Sequence, residues 1–459
     1  MTANIQRRAF LAGSAAFAAW PRGLFADVPA HLATAWEKPD GTATDAVMAR
    51  RLHLDLAGRI PTKAEAQAYV ESSDPGKRAA LVDRLLASGD FADFWAMRFC
   101  DILRVKSEFP INLWPNAVYV YHARIRKFVE NNEPWDEFGR ALLTSQGSDF
   151  RDAEANFFRA TDRRTPEGWA EAVAQTFLGI PPDALPEKQR AEMAKYLESV
   201  RIKSTREWKE EVVFSEGQDR RAELCDLLFG RRRADVAAAF HALVRGWIFG
   251  PGGNQPAAAG RLGLKDVLRE IALSDEYARG SVTGGFPARR IDAEVLDDAL
   301  CSLGEARRHY QSPAPEPFSF LPGQRRTVCI EDGSISSSFL TLFGRPARDT
   351  GLPDERKSAV TSKQRLYLFN STRLHDLLPR VVMPGGWNNN PLSKLPLAKR
   401  VDDLYWRILG REPTDDERRH VTGLWKRRGG YKKKGAKPSV LLRDVAWCLF
   451  NTKEFLYRV

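Results

Sequence analysis

Residues 107–116 combine the side chains that most often recognise a small polar ligand. Phe109 and Trp114 offer aromatic faces, and Pro110 and Pro115 stiffen the backbone beside them. Rings stack on the apolar faces of sugars while amides and carboxylates bind hydroxyl groups, so this composition favours a groove for a sugar or peptide. The candidate ligand-binding residues here and in the following segment are Glu108, Asn112, Trp114, Asn116, His122 and Arg126. The alternative is a rigid buried loop whose Asn side chains satisfy backbone groups.

Motifs for the commonest metal and catalytic chemistries are absent from the sequence. The seven His are spread out, and the chain has no H-E-x-x-H, G-x-S-x-G or Gly-rich phosphate loop. His53 and Asp55 lie on different faces of a predicted helix, which favours a structural role. Carboxylates such as Glu207 and Glu211 have helical spacing, but charged surface helices produce such pairs without catalysis. The sequence therefore predicts no metal site and assigns no catalytic residue.

The five cysteines argue against a bound cofactor as well. They are Cys100, Cys225, Cys301, Cys329 and Cys448, and none is spaced as C-x-x-C. This scatter predicts neither a disulfide framework nor a metal knuckle, and it contains no haem-attachment motif. We expect mostly buried thiols and no cofactor.

The first thirty residues resemble a twin-arginine export signal. Arg7 and Arg8 precede a modestly apolar run that ends at Trp20 and is too short to span a bilayer. Cleavage after Ala26 or Ala30 fits the small-residue rule. This predicts a protein exported in the folded state to the periplasm or cell envelope, where nucleic acid is not a partner. The alternative is a chance arginine pair on an ordinary amphipathic N-terminus.

Most of the positive charge lies in one segment. The net charge is +11, and it becomes +8 without Arg7, Arg8 and Arg22 of the signal. Seven positive charges fall within residues 425–437. We call these residues the basic patch: Lys426, Arg427, Arg428, Lys432, Lys433, Lys434 and Lys437. The patch is either a solvated loop or a docking site for an anionic lipid surface or acidic polysaccharide.

The apolar pattern predicts a mainly α fold with two helical domains built of helical hairpins. Apolar residues recur at helical spacing, as at Leu81, Leu85 and Leu86. A charged helix is expected at residues 187–200. Short strands are expected at residues 212–214, 326–330 and 366–369.

One helical hairpin pattern occurs near both ends of the chain. Residues 52–65 and 404–417 share the order helix, Gly, Pro-Thr, helix. The glycines suit left-handed C-caps, and each Thr with the Glu three residues later suits a capping box. The defining positions are Gly58, Thr62 and Glu65 in the first copy and Gly410, Thr414 and Glu417 in the second. A related helix ending, Ser or Thr three residues before an aromatic residue, recurs at Ser88, Ser274 and Thr452.

Three segments are predicted along the chain. Residues 1–30 form the signal, residues 31–215 the N-terminal helical domain and residues 216–459 the C-terminal helical domain. The boundary is placed at residues 215–217 because a new charged helix opens at Asp219.

Both halves resemble a bacterial, planctomycete-type family in which domain of unknown function 1549 precedes domain of unknown function 1553. The first half does so through R-L-H-L-D-L-A-G-R-I-P-T at 51–62, L-V-D-R-L-L-A-S at 81–88, residues 104–117 and N-F-F-R-A at 156–160. The second half does so through residues 289–299, F-G-R-P at 343–346 and the C-terminal repeat. The resemblance covers nearly all of the mature chain and implies no established activity. It adds Asn156 and Arg159 to the candidate ligand-binding residues.

One departure from the family pattern concerns haem. Many relatives carry C-x-x-C-H after the helix that ends here at Gly179, and its thiols would attach haem. Residues 180–189 contain neither Cys nor His. The resemblance therefore implies a member without covalent haem.

Two functions follow from these observations. The leading hypothesis is an exported envelope protein that binds a ligand or partner, either a polysaccharide or a co-exported enzyme. The alternative is a periplasmic hydrolase or oxidoreductase whose site is assembled from distant residues.

Overall fold

A computed structural model describes residues 34–204, 210–214, 218–250, 262–306, 308–313, 325–386, 390–429 and 437–459. The protein is mainly α-helical, as the sequence predicts. The segment predicted to be an export signal lies outside the described residues, and so do three lysines of the basic patch, Lys432, Lys433 and Lys434.

Twenty-one α-helices are assigned within the described residues. In chain order they are α1 (Asp45–Ala57), α2 (Lys63–Glu71), α3 (Lys77–Leu86), α4 (Gly89–Ile102), α5 (Pro115–Glu130), α6 (Trp135–Thr144), α7 (Asn156–Arg159), α8 (Pro166–Leu178), α9 (Glu187–Ala194), α10 (Arg221–Asp226), α11 (Arg233–Phe249), α12 (Leu264–Leu273), α13 (Asp275–Ala278), α14 (Ala293–Leu303), α15 (Ser338–Leu342), α16 (Ser362–Asn370), α17 (Thr372–Val382), α18 (Leu397–Leu409), α19 (Asp415–Arg427), α20 (Pro438–Phe450) and α21 (Lys453–Leu456). The strands are β1 (Gly147–Ser148), β2 (Val200–Ser204), β3 (Glu210–Phe214), β4 (Arg289–Arg290) and β5 (Tyr457–Arg458).

The chain divides into two compact units that are each assembled from separate stretches. The first unit comprises the described residues up to 82 together with 272–308 and 358–459. The second unit comprises 83–271 and 309–357. The predicted boundary near residue 215 falls within the second unit. Each unit therefore contains residues from both sides of that boundary.

The two hairpin copies, α1–α2 and α18–α19, have the predicted caps. Gly58 and Gly410 adopt left-handed conformations with φ of 57° and 75°. Thr62 and Thr414 each form a complete capping box with the Glu three residues later. The copies lie together within the first unit, where Lys63 pairs with Asp403 at 2.8 Å. The predicted repeat is thus confirmed as a structural one.

The recurring Ser or Thr pattern is present, and it marks the start of the following helix rather than a helix ending. The hydroxyls of Ser88, Ser274 and Thr452 each accept a hydrogen bond from the amide three residues later, at 3.2 Å in every case. The donors are the amides of Phe91, Tyr277 and Phe455. A Ser or Thr N-cap satisfies an otherwise unpaired helix amide, so the same local chemistry starts α4, α13 and α21.

His53 and Asp55 have the structural role predicted for them. Nδ1 of His53 lies 2.7 Å from the carbonyl of Ala49, one turn earlier in α1. Asp55 accepts from the hydroxyl of Tyr277 at 2.8 Å and from Arg458 at 2.5 Å. Both side chains are buried, and Asp55 connects α1 to the C-terminal strand β5.

Aromatic side chains form the core of the second unit. The ring of Trp135 on α6 lies between those of Phe99, Phe177 and Phe240, with centroid distances of 5.3 to 5.4 Å. Aromatic pairs at such distances contribute about 0.5–1.5 kcal/mol each beyond their burial. This packing fixes α4, from which the candidate loop departs.

The observed strands differ from the predicted ones. Residues 212–214 lie in β3, which pairs antiparallel with β1 and β2 in the order β1-β3-β2. The other two predicted strands are wrong, because residues 326–330 contain the 3₁₀ turn Thr327–Cys329 and residues 366–369 lie in α16. A capping box of Thr361 and Gln364 starts α16, and an apolar run of four residues does not by itself distinguish strand from helix. The helix predicted at 187–200 ends at Ala194, because Val200 pairs with Phe214 in the sheet.

The five cysteines are free thiols. Cys100, Cys225 and Cys448 are buried, and Cys301 and Cys329 are half-buried. The expectation of mostly buried thiols is confirmed.

Candidate functional site

Residues 107–116 form a closed surface loop in the second unit, which we call the 107–116 loop. The amide of Leu113 donates to the carbonyl of Lys106 at 3.1 Å and closes the base. The amide of Asn112 donates to the carbonyl of Glu108 at 3.0 Å and closes the tip. Asn112 has a φ of 57°, a left-handed conformation that Asn adopts more readily than most residues. The loop is therefore a defined turn between α4 and α5.

Side chains alternate between surface and interior along this loop. Ile111 and Leu113 are buried and tie the loop to the core of the unit, while Trp114 is half-buried. The exposed side chains are Glu108, Phe109, Asn112 and Asn116, and Phe109 is 79% exposed. The alternative of a buried loop does not describe this arrangement. An aromatic ring stands in solvent among one carboxylate and two amides.

The loop is anchored by residues that lie far away in the chain. The carboxylate of Asp332 accepts from the amide of Ser107 at 3.0 Å and from its hydroxyl at 2.5 Å. The hydroxyl of Ser334 accepts from the amide of Glu108 at 2.9 Å. Asp332 is buried, so it holds the loop from beneath. These bonds order the backbone on the N-terminal side of Phe109.

A buried ion-pair cluster supports the anchor. Arg348 donates to Asp101 at 2.9 Å, and Arg356 pairs with the same carboxylate at 2.7 Å. Arg348 also donates to the carbonyl of Glu331 at 2.5 Å, next to Asp332 in the chain. Lys106 pairs with Asp349 at 2.5 Å. Buried charges need such partners, since an unpaired one costs several kcal/mol.

His122 lies inside the unit rather than on the loop surface. It is buried on α5, and its Nε2 has no hydrogen-bond partner in the structure. Burial lowers the pKa of His122 to about 3, and nearby positive charges act in the same direction. These charges belong to Arg348, Arg325 and Arg126. The imidazole is therefore neutral at physiological pH.

Helix geometry explains why Asn116 and His122 separate. Six residues along an α-helix turn through about 600°, which places the two side chains about 120° apart around α5. Arg126, further along α5, pairs with Asp93 at 2.7 Å and with Glu130 at 2.9 Å. The structure thus keeps Glu108, Asn112, Trp114 and Asn116 in the loop and its helix start, while His122 and Arg126 lie elsewhere on α5.

Asn156 and Arg159 belong to a second buried network. Arg159 pairs with Asp149 at 3.0 Å and with Glu210 at 2.5 Å, and it donates to the Asn156 side chain at 3.2 Å. Burial raises the pKa of Asp149, while the charge of Arg159 acts against that shift. The network holds α7 against the sheet. The two residues therefore support the fold at the sheet edge.

Arg164 connects this second network to the loop. It pairs with Glu210 at 3.2 Å and donates to the carbonyl of Ile111 at 3.2 Å. Asn156 and Arg159 thus act on the loop backbone indirectly, through Glu210 and Arg164.

Sequence reasoning missed the residues that anchor the loop. Asp332, Gly333 and Ser334 form an Asp-Gly-Ser turn in which the Ser334 amide donates to Asp332 at 2.8 Å. The Asp-Gly-Ser sequence predicts a polar turn, but it does not reveal which distant residues the turn contacts. The pairing of Asp101 with Arg348 leaves no local signal, because the two residues are 247 positions apart.

The described part of the basic patch lies in the first unit. Lys426 and Arg427 are exposed in the last turn of α19, and Lys437 is exposed just before α20. Arg428 pairs with Asp444 at 2.8 Å. Among the described residues no group of three His, Cys, Asp or Glu is arranged to hold a metal ion. The same residues include no helix with the length and hydropathy needed to cross a membrane.

Comparison with known proteins gives two adjacent family matches. Residues 27–219 match the PSCyt2 family, a protein of unknown function (DUF1549). Residues 259–425 match the PSD1 family, a protein of unknown function (DUF1553). None of the curated proteins and none of the solved structures gives a significant match. The two matches span most of the chain in the expected order, and the protein therefore contains a DUF1549 segment followed by a DUF1553 segment.

Proposed function

We propose that this protein is a polysaccharide-binding protein of the cell envelope and that it grips its ligand with the 107–116 loop. The observation that carries the proposal is the 79% exposure of Phe109 on a loop anchored from below by Asp332 and Ser334. A solvent-exposed aromatic ring gains free energy when it stacks on the apolar face of a sugar. The anchored backbone loses little conformational entropy on binding, which favours affinity.

The neighbours of Phe109 suit a sugar better than a protein surface. Glu108, Asn112 and Asn116 are exposed and offer acceptors and donors to hydroxyl groups. A stable protein interface instead needs about 800 Å² per partner with a largely apolar centre. The surface around Phe109 is one ring among polar side chains, so it is smaller and more polar than such an interface. We therefore favour a polysaccharide over a co-exported enzyme as the ligand.

The enzyme alternative requires an oriented acid or base. The natural candidate is His122, but it is buried, and its pKa of about 3 makes it a weak base at neutral pH. General base catalysis usually relies on a His that a carboxylate orients. Glu108, the carboxylate of the loop, is exposed to solvent and does not belong to α5, the helix that carries His122. No observation favours the hydrolase or oxidoreductase alternative over binding.

Affinity electrophoresis in gels that contain soluble polysaccharides tests the proposal. The panel includes neutral polymers (mixed-linkage β-glucan, xylan, galactomannan) and acidic ones (alginate, pectin). We expect at least one polymer to retard the wild type and Phe109→Ala to weaken that binding tenfold or more, since burial of a Phe side chain contributes about 1.5–3 kcal/mol. Phe109→Trp keeps an aromatic face and should retain binding.

A matched control removes another exposed apolar side chain. Leu395→Ala truncates an exposed residue of the first unit and should leave retardation unchanged. The proposal is wrong if no polymer retards the wild type, or if Phe109→Ala is retarded as strongly as the wild type. A co-purified protein that Phe109→Ala releases, without any polysaccharide binding, would instead establish the protein-partner alternative.

A further inference from the structure

Exposed apolar side chains are concentrated on two helices of the first unit. Leu366 and Phe369 on α16 are 59% and 37% exposed, and Val440 on α20 is 50% exposed. Leu366 and Phe369 are three residues apart and so lie on one side of α16. Among the described residues, only two other large apolar side chains are as exposed as these, Phe109 and Leu395.

Side-chain contacts join α16, α20 and the end of α19 into one surface. The rings of Phe369 and Trp447 lie with centroids 5.7 Å apart. On α20, Val440, Asp444 and Trp447 are spaced by four and three residues and therefore share a face. Arg428 pairs with Asp444 at 2.8 Å and brings the end of α19 to that face. The exposed apolar side chains thus lie on two helices that contact each other through Phe369 and Trp447.

Positive charge surrounds these apolar side chains. Lys363 and Arg365 are exposed on α16, and residues 358–371 contain no acid. Lys426 and Arg427 are exposed at the end of α19, and Lys437 is exposed three residues before Val440. The one carboxylate on the shared face of α20, Asp444, is paired with Arg428. The rim of the surface is therefore basic.

We infer that this surface docks on an anionic lipid bilayer. We call it the docking face and define it by Lys363, Leu366, Phe369, Lys426, Lys437 and Val440. An amphipathic surface of this kind places its apolar side chains at the boundary between headgroups and acyl chains while its basic residues meet anionic headgroups. An acidic polysaccharide would neutralise the lysines but would leave Leu366 and Val440 in water. The combination of charge and exposed aliphatic groups therefore selects the lipid surface.

The docking face is independent of the polysaccharide site. Phe109 belongs to the second unit, whereas all six residues of the docking face belong to the first. Lipid binding can therefore fail while polysaccharide binding is retained, and the reverse also holds.

Vesicle cosedimentation of the full mature chain tests the inference. Vesicles of phosphatidylglycerol and phosphatidylethanolamine in a 3:1 ratio are compared with pure phosphatidylcholine, in 50 mM and 500 mM NaCl. We expect binding to the anionic vesicles only, and weaker binding at high salt because the charges are screened. Lys363→Gln with Lys437→Gln should lower the affinity by about 25-fold at low salt, since each basic residue near an anionic surface contributes about fivefold.

The apolar part is tested by Leu366→Ser with Val440→Ser. These side chains are exposed, so the variant should keep the wild-type melting temperature while its affinity for anionic vesicles falls about tenfold or more. The matched control is Lys394→Gln with Leu395→Ser, which changes one exposed lysine and one exposed leucine outside the docking face. Its vesicle binding should equal that of the wild type.

Three results would overturn the inference. The first is the absence of wild-type binding to the anionic vesicles at low salt. The second is binding that the lysine changes weaken but the change of Leu366 and Val440 does not, which is the behaviour expected for an acidic polymer. The third is a wild-type dimer that the change of Leu366 and Val440 dissociates without any effect on vesicles, which would assign the face to a second copy of the chain.

Discussion

Arg348 donates from Nε to Oδ1 of Asp101 at 2.9 Å, although 247 residues separate them in the chain. Asp101 belongs to the segment that matches DUF1549, and Arg348 belongs to the segment that matches DUF1553. The first unit also contains a contact between the two matched segments, because Arg51 donates to the carbonyl of Tyr277 at 2.5 Å. Each compact unit is thus built from both family segments.

Loss of the Asp101 carboxylate should destabilise the second unit. Asp101→Asn leaves the buried guanidinium of Arg348 and its neighbour Arg356 without their anion. Breaking a buried pair in this way costs about 3–5 kcal/mol. Hydrogen exchange of the α4 amides, followed by mass spectrometry, should report a decrease of that size in local opening free energy.

An exposed residue of the same unit provides the comparison for that experiment. Arg151→Met removes a surface guanidinium and should change the α4 exchange by less than about 0.5 kcal/mol. Equal exchange in Asp101→Asn and the wild type would show that the cluster contributes nothing to stability.

The repeat offers a matched pair of arginines for a second prediction. Arg59 is 26% exposed and pairs with Glu65, whereas Arg411 is 6% exposed and pairs with both Glu417 and Glu454. Burial disfavours the charge of Glu417, yet its bonds to Arg411 and Thr414 prevail and lower its pKa. We expect Arg411→Met to cost about 3–5 kcal/mol and Arg59→Met about 1 kcal/mol.

Thermal unfolding and hydrogen exchange in α2 and α19 measure these two variants. The difference arises from burial, since the local sequences around both arginines are alike. Equal losses in the two variants would mean that capping, which both hairpins share, determines their stability.

His122 should make the second unit less stable in acid. Its pKa is about 3 in the folded protein and about 6.5 in an unfolded chain, so only the unfolded state binds the proton between these values. Stability therefore falls as pH drops below 6.5, by up to about 1.4 kcal/mol per pH unit. Between pH 6.5 and 5, the free energy of unfolding should fall by about 2 kcal/mol less in His122→Asn than in the wild type. Urea unfolding measures this difference.

The exposed His309 serves as the reference for that pH series. His309→Asn should change the free energy of unfolding at neutral pH by less than about 0.5 kcal/mol, because the side chain is exposed. An unchanged slope in His122→Asn would contradict the burial of a neutral imidazole.

The two predicted domains should not fold as separate chains. Residues 31–215 contain Asp101 and Arg51, while their partners Arg348 and Tyr277 lie in residues 216–459. Each fragment alone should lack near-ultraviolet circular dichroism and a cooperative thermal transition, and co-expression should restore both. A soluble fragment that unfolds cooperatively on its own would refute this prediction.

The resemblance of the first thirty residues to a twin-arginine signal leads to a prediction that depends on the sequence alone. Replacing Arg7 and Arg8 with Lys should stop export, because the twin-arginine route discriminates between two residues of equal charge. Cell fractionation and immunoblotting measure the result. Normal periplasmic accumulation of the double variant would show that residues 1–30 are not a twin-arginine signal.

Local features of the fold were predictable, and long-range ones were not. The caps at Gly58 and Gly410 and the capping boxes at Thr62 and Thr414 involve residues within a few positions of each other. The strand predicted at residues 366–369 failed for a related reason, since the cap that starts α16 lies outside the apolar run. The composition of residues 107–116 left open whether the loop is exposed or buried, and it gave no indication of the anchors Asp332 and Ser334.

The sequence by itself determined the helical class, the repeated hairpins, the family and the stretch that carries the candidate site. Hydrophobic periodicity, caps and motifs encode these properties over short spans of chain. Only the tertiary structure decided that His122 is buried, that Arg159 supports the sheet edge, and that Asp101 meets Arg348. Those outcomes depend on which distant segments pack into one core. An ion pair between residues 247 positions apart cannot be predicted from the spacing of neighbouring residues.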